Sequence, residues 1–315
     1  MQQVIVIAGP TASGKSALAV KVAKKIGGEI ISADSMQVYR GMDIGTAKPT
    51  LAEQEGIPHH LIDVVEAQET FSAADFQRLA QNAIADIQKN GRIPIIAGGT
   101  GFYINALIYG CDFSPLTNQA HKDNQELHQD RLRQSFMELA ESSENGGEFL
   151  HNRLRAVDPE SAAKIHANNI KRVARALAYY EAMGRPISTH NAEQRQKREP
   201  IYNTTYIILH RERSKLYEAI NQRVLDMIAR GLPQEVKRLL QAGVPETSTA
   251  MQGLGYKEMI PYLNGQCSLE DTIAAIQQGT RRYAKRQLTW FRHQTDGHWL
   301  LADELTDDTI DKIKL

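Results

Sequence analysis

The run Gly9-Pro10-Thr11-Ala12-Ser13-Gly14-Lys15-Ser16 matches G-x-x-x-x-G-K-[ST], and it stands directly after an apolar stretch at residues 3–8. A helical stretch at residues 15–26 opens on its last two residues, and Gly27-Gly28 stops it. This strand, loop and helix constrain the chain more than any other feature. A buried strand delivers the loop at its carboxyl edge, and the helix N-terminus aims backbone N–H groups at an anion held there. Lys15 adds a point charge, and the Ser16 hydroxyl is a ligand for Mg²⁺.

The pattern that follows extends the same architecture. Residues 29–33 read as a second strand ending at Asp34, and residues 93–97 as a third, interrupted at Gly98-Gly99. Between them Ser72 and Asp75 form a capping box for a helix whose Phe76, Leu79, Ala83, Ile84 and Ile87 share a face, with Gly91 closing it. Strands alternating with helices predict an α/β fold with a P-loop NTPase-like parallel sheet core. The strand signal vanishes over residues 111–199 and returns once, at residues 205–209, ahead of helices starting at Ser214 and at the Ser268–Asp271 box. We therefore expect a core made of residues 1–110 and 200–315, completed by C-terminal helices, with a helical insertion at 111–199.

Composition narrows the class of function. The chain of 315 residues carries 37 Lys+Arg and 37 Asp+Glu, which excludes a uniformly basic nucleic-acid coat. The charges are nevertheless segregated. Between Lys164 and Arg198 eight basic residues (Lys164, Lys171, Arg172, Arg175, Arg185, Arg195, Lys197, Arg198) face two acidic ones, and Arg281, Arg282, Lys285, Arg286 and Arg292 lie in a stretch without acid. The acidic balance includes Asp303, Glu304, Asp307, Asp308 and Asp311 near the end. Such runs are either solvated helix faces or contact strips for phosphates. Two cysteines, Cys111 and Cys267, point to a reducing, cytoplasmic setting, and the absence of a long apolar run or an export signal predicts no membrane partner. His59-His60 have no metal-ligand spacing and read as structural.

The phosphate loop is of the type that binds ATP and other nucleotides, but it identifies linked phosphates rather than one ligand. No acid ends the strand at 93–97, where hydrolytic P-loop proteins carry their metal-shell aspartate, and no N-K-x-D guanine motif occurs. Asp34, at a strand end on the ligand-binding edge, is either a base facing the cradle or a cap for the turn with Ser35. On the helix from Ser214, Leu216, Ile220, Val224 and Met227 form the apolar stripe, and Arg223 at its edge either snorkels to water or meets an anion. Kinase, ATPase and transferase with a diphosphate leaving group all remain open on these residues.

Seven stretches, in order along nearly the whole chain, resemble the bacterial tRNA dimethylallyltransferases, also called tRNA isopentenyltransferases. They are the loop at 9–16, the run from Asp34 to Pro49, Pro58-His59-His60-Leu61-Ile62-Asp63, Ala97-Gly98-Gly99-Thr100-Gly101, Lys171 to Leu177, Gly253-Leu254-Gly255-Tyr256-Lys257-Glu258, and Arg282 to Arg292. The resemblance implies a monomeric enzyme in which N6 of the adenine 3′-adjacent to the anticodon of a tRNA attacks C1 of dimethylallyl diphosphate, with Mg²⁺ as cofactor. It assigns Asp34 and Thr11 to catalysis, and Gly9, Pro10, Thr11, Ala12, Ser13, Gly14, Lys15, Ser16 and Arg223 to the diphosphate, with Ser16 on the metal. For tRNA contacts it implies Asp34, Ser35, Met36, Gln37, Thr100, Arg131, Lys171, Arg172, Val173, Ala174, Arg175, Gln252, Gly253, Leu254, Gly255, Tyr256 and Lys257.

The segment at 116–134 is longer and more polar than the family pattern, which leaves Arg133 competing with Arg131. Asn169 stands where many members carry Asp, and Ala178 where a Glu commonly follows. On the helix near the C-terminus, the five basic residues fall on one face opposite Tyr283, Trp290 and Phe291. Two rivals make different predictions: a P-loop small-molecule or nucleoside kinase is indifferent to tRNA, and a non-enzymatic RNA-binding protein binds tRNA without turnover.

Overall fold

The computed structural model describes residues 2–111, 113, 119–196 and 199–306. Lys197, Arg198, Asp307, Asp308 and Asp311 lie outside them, as do residues 114–118. In chain order the elements are β1 (Gln3–Ala8), α1 (Lys15–Ile26), β2 (Gly28–Ser32), α2 (Leu51–Gln54), β3 (His59–His60), α3 (Ala73–Lys89), β4 (Ile93–Gly98) and α4 (Gly101–Ile108). The helices α5 (Gln119–Glu141), α6 (Gly146–Val157), α7 (Pro159–Lys164), α8 (Ile170–Met183) and α9 (Ile187–Gln196) follow. The chain then forms β5 (Asn203–His210), α10 (Arg213–Ala229), α11 (Leu232–Gln241), α12 (Tyr256–Leu263), α13 (Leu269–Gln294) and β6 (His298–Leu301). Two compact units result, Met1–Gly110 with Pro200–Leu315, and Cys111–Glu199.

The first unit is built on a six-stranded sheet of order β3-β2-β4-β1-β5-β6 in which every pair is parallel. Its central strand shows why the apolar runs are continuous rather than alternating. Val4, Val6 and Ala8 face one layer with Phe76, Ile84 and Ile104, while Ile5 and Ile7 face the other with Leu18, Val22 and Ala23. Both faces are covered, so both registers of the strand must be apolar. The box at Ser72 and Asp75 forms as expected and opens α3. A helical layer of α10 to α13 packs Val224, Val236, Met259 and Ile276 against Val38, Tyr39 and Met42 from the long loop after β2.

Two strands were not expected. β3 and β6 are short edge strands held by pairing, Ile30 with His59 and Ile207 with His298, and too brief for a periodicity to reveal them. The helix expected to start at Ser214 begins at Arg213 after Glu212, and Ser214 is not its cap. The first unit also leaves and resumes its path at one place: the Ile201 N–H donates to Ile108 O at 2.9 Å.

The second unit is helical in its described residues. Its core comprises Phe136, Leu150, Leu154, Val173, Ala174 and Leu177. Ala178, the position that departs from the expected pattern, is 2% exposed in that core. Asp158 caps α7, its carboxylate accepting from the N–H groups of Ser161 and Ser188 and from the Ser161 hydroxyl.

Candidate active site

At the carboxyl edge of the sheet, within the first unit, a cavity of about 340 Å³ gathers the phosphate loop, the β2 end, α10, α13 and the turn before α12. Its shape begins with backbone chemistry. Gly14, at φ 91° just before α1, occupies the left-handed region that the tight turn requires, and Ala12 is held at φ 61° without that freedom. The loop thus curls around the position where a phosphate group would sit. Gly9, Pro10 and Ser13 are buried beneath it, while Thr11, Lys15 and Ser16 reach the cavity.

Lys15, Arg223, Lys257 and Arg286 bring positive charge to the cavity lining. Burial lowers the Lys15 ammonium from 10.5 to about 8, with Arg223 adding to the effect and Asp34 opposing it. Arg223 is likewise lowered by burial, again against the pull of Asp34. The stripe Leu216, Ile220, Val224 and Met227 beside Arg223 is buried, β5 joins the sheet beside β1, and Arg223 lines the cavity. The cations Lys15 and Arg223 outweigh Asp34 here, which favours an anionic ligand.

Asp34 caps its own turn and also lines the cavity: its Oδ1 accepts the Met36 N–H at 2.9 Å. The next residues are fixed around it. The Ser35 N–H donates to Thr100 Oγ1 at 3.1 Å, and the Gln37 amide, which lines the cavity, accepts from the Ser32 hydroxyl and donates to Thr46 O and Ala47 O. Met36, Gln252, Gly253, Leu254, Tyr256 and Lys257 complete the wall, and Gly255 turns the chain at φ 94° into α12. The acidic and hydroxyl oxygens of Asp34 and Ser16 suit a hard divalent cation held mainly by a ligand's own phosphate oxygens and water. Among the described residues no group of three His, Cys, Asp or Glu assembles into a metal cage. His60 instead pairs with Glu29 at 2.6 Å, a structural role.

The remaining expected contacts belong to the second unit. Arg131 is exposed on α5, and Arg133 pairs with Asp130 at 3.3 Å. On α8, Lys171, Arg172 and Arg175 are exposed, whereas Val173 and Ala174 are 0% exposed in the unit's core. Those two side chains hold the helix and cannot reach an RNA.

Of the basic residues expected on one face of α13, Arg282, Lys285, Arg286 and Arg292 are exposed and Arg281 is half-buried. Arg281 donates to Asn221 Oδ1 at 2.6 Å, Arg292 lies over the Trp299 ring, and Arg286 lines the cavity. Tyr283, expected on the packed face, also lines the cavity, hydrogen-bonded to Thr100 and with its hydroxyl pushed up by burial to about 12. Gln287 and Glu235 were not singled out by sequence. Glu235 is 1% exposed and accepts the N–H groups of Asp43, Ile44 and Gly45 and the Tyr256 hydroxyl. Its signal was available: an acid within the apolar stripe Leu232, Val236, Leu239 of α11 must find partners.

Comparison with known proteins gives one answer. The family model for IPP transferase matches residues 37–294. The tRNA dimethylallyltransferase of Acetivibrio thermocellus is 48% identical over 98% of this chain and 94% of its own length, and that of Geobacillus thermodenitrificans is 49% identical over 97% and 91%. Among solved structures, the tRNA isopentenylpyrophosphate transferase of Bacillus halodurans is 41% identical with a TM-score of 0.72, covering 99% of this chain and 94% of that one. A eukaryotic dimethylallyltransferase crystallised while acting on tRNA is 33% identical with a TM-score of 0.77, covering 98% and 75%. With a match over most of its length and relatives near half identity, the chain belongs to the IPP transferase family.

Proposed function

We propose that this protein transfers the dimethylallyl group of dimethylallyl diphosphate to N6 of the adenine 3′-adjacent to the anticodon in tRNA. One observation carries the reading: Asp34, Lys15, Arg223 and residues of the phosphate loop line a single cavity. The C1–O bond of the prenyl diphosphate breaks, the C1–N6 bond forms, the N6 proton passes to the Asp34 carboxylate, and diphosphate leaves. Asp34 supplies the base that a weakly nucleophilic exocyclic amine needs. Lys15, Arg223 and the loop N–H groups stabilise the charge that grows on the leaving oxygen, and Thr11 lies at the reacting centre. Mg²⁺, when bound, neutralises the diphosphate further, with Ser16 as its protein ligand.

Target adenine must leave the stacked anticodon loop to enter the cavity. Asp34, Ser35, Met36, Gln37, Thr100 and the segment Gln252 to Lys257 receive it, while Lys171, Arg172, Arg175 and Arg131 of the helical insertion hold phosphates of the anticodon arm. The enzyme works as a cytoplasmic monomer; among the described residues no helix is long and apolar enough to cross a membrane. Incubation of the purified protein with unmodified tRNA, Mg²⁺ and dimethylallyl diphosphate, followed by mass spectrometry of the nucleosides, tests the reading. A dimethylallyl increment on adenosine is expected. Its absence, with phosphorylated product when ATP is supplied instead, would sink the proposal in favour of a kinase.

A further inference from the structure

We propose that Gln287 is a positioning residue for dimethylallyl transfer, its side-chain amide clamping the backbone of Thr11 to that of Gly99 and so fixing where the Thr11 side chain meets the reacting carbon. The proposal rests on the transfer reading above. Gln287 is 6% exposed. Its Oε1 accepts the Thr11 N–H at 3.0 Å, and its Nε2 donates to Gly99 O at 2.9 Å. Both ends of one amide are thus satisfied by backbone groups of two different loops, the phosphate loop after β1 and the turn after β4.

The clamp is held from behind. Ala284 and Phe291, three residues before and four after Gln287, are 0% exposed, so this face of α13 is anchored in the core. Gly99 is the complement of the amide: a methyl group at this position would overlap Gln287 Nε2, and only glycine lets the side chain enter. One turn earlier on the same helix, Tyr283 is hydrogen-bonded to Thr100, whose Oγ1 holds the Ser35 N–H beside Asp34. A single helix therefore touches the leaving-group side through Thr11 and the base side through Thr100.

The clamp also decides which donors face the diphosphate. The Thr11 N–H is committed to Gln287 and the Ser13 N–H to Pro10 O, so the phosphate donors come from the rest of the loop. Losing the amide would leave a part-buried N–H and a buried carbonyl unpaired and free the Thr11 side chain to drift, and displacements of about 1 Å at a reacting centre are enough to cost ~100-fold in rate.

The test is a double-mutant cycle in the tRNA prenylation assay with Gln287→Leu, Thr11→Ala and the double variant, each checked for folding by thermal melting. We expect Gln287→Leu to lower kcat at least ~10-fold while KM for tRNA stays within about twofold, and to cost less than about threefold once Thr11 is already Ala. An undiminished loss in the Thr11→Ala background overturns the proposal, because it would mean that Gln287 acts on the fold at large. Gln287→Glu keeps the falsification available should the Leu variant fail to fold. The neutral acid retains an acceptor for Thr11 and a donor for Gly99, whereas the carboxylate loses the donor. Its kcat should therefore recover toward wild type as pH falls, along a limb that the wild-type profile lacks, and a profile parallel to wild type counts against the clamp. Wild-type transfer is measured first: its absence refutes the underlying reading, whereas wild-type transfer with an additive cycle refutes the clamp alone.

Discussion

The lowered pKa of Lys15 makes diphosphate affinity depend on pH in a window where an ordinary lysine is silent. Burial brings its ammonium to about 8, and a diphosphate beside it restores the charged form. At pH 7 about nine-tenths of the free protein already carries the proton; at pH 9 about one-tenth does, and binding must draw it from solvent. Affinity for dimethylallyl diphosphate in the absence of tRNA should therefore fall about tenfold between pH 7 and pH 9, equal to about 1.4 kcal/mol. Calorimetry in buffers of different ionisation enthalpy should show uptake of nearly one proton per ligand at pH 9 and about a tenth of that at pH 7. Lys15→Arg, with a side chain that keeps its charge, should bind with a flat profile over this range. Tyr283 does not confuse the measurement, since burial holds its hydroxyl near 12. Equal affinities at pH 7 and 9, or an unchanged slope in Lys15→Arg, would refute the assignment of the proton to Lys15.

Asp34→Ala should reduce kcat by ~10²- to 10⁴-fold while tRNA affinity measured by filter binding changes little; unchanged turnover would remove the base role. Arg223→Ala should raise KM for dimethylallyl diphosphate by at least ~10-fold and leave tRNA binding alone, and the opposite pattern would put Arg223 on the RNA. Glu235→Ala strands three part-buried backbone donors and the buried Tyr256 hydroxyl and should cost at least ~2 kcal/mol in a urea unfolding experiment, more than loss of a surface carboxylate produces. Neutralising Lys171, Arg172 and Arg175 together should reduce the slope of log affinity for tRNA against log salt by ~2 to 3, whereas an unaltered slope would remove these residues from the phosphate contacts.

What the sequence made legible was whatever repeats locally or follows from sheet geometry. β1, the phosphate loop and α1 could be bounded because a covered parallel strand is apolar throughout and the helix carries glycines at both ends. Convergence of Asp34 and Arg223 on the loop followed from parallel strands sharing one carboxyl edge. The edge strands β3 and β6 escaped because two or four residues hold no period and owe their conformation to partners far along the chain. Helical spacing placed Arg281 and Arg292 on one face but could not show that Asn221 and Trp299 would occupy them. Gln287 was invisible for the same reason: an amide reads as an ordinary helix residue until its two backbone partners are known.

The hydrogen bond from Ile201 to Ile108 makes the helical insertion topologically silent to the core. Since the path closes there, lengthening the excursion between those residues changes only an entropy that grows logarithmically, about 0.6 kcal/mol for each doubling of a flexible loop. Added sequence within the insertion would therefore come at little thermodynamic cost to the sheet. The catalytic frame and the helical insertion are in this sense separately evolvable, free to diverge in length and composition at different rates while the sheet keeps its register.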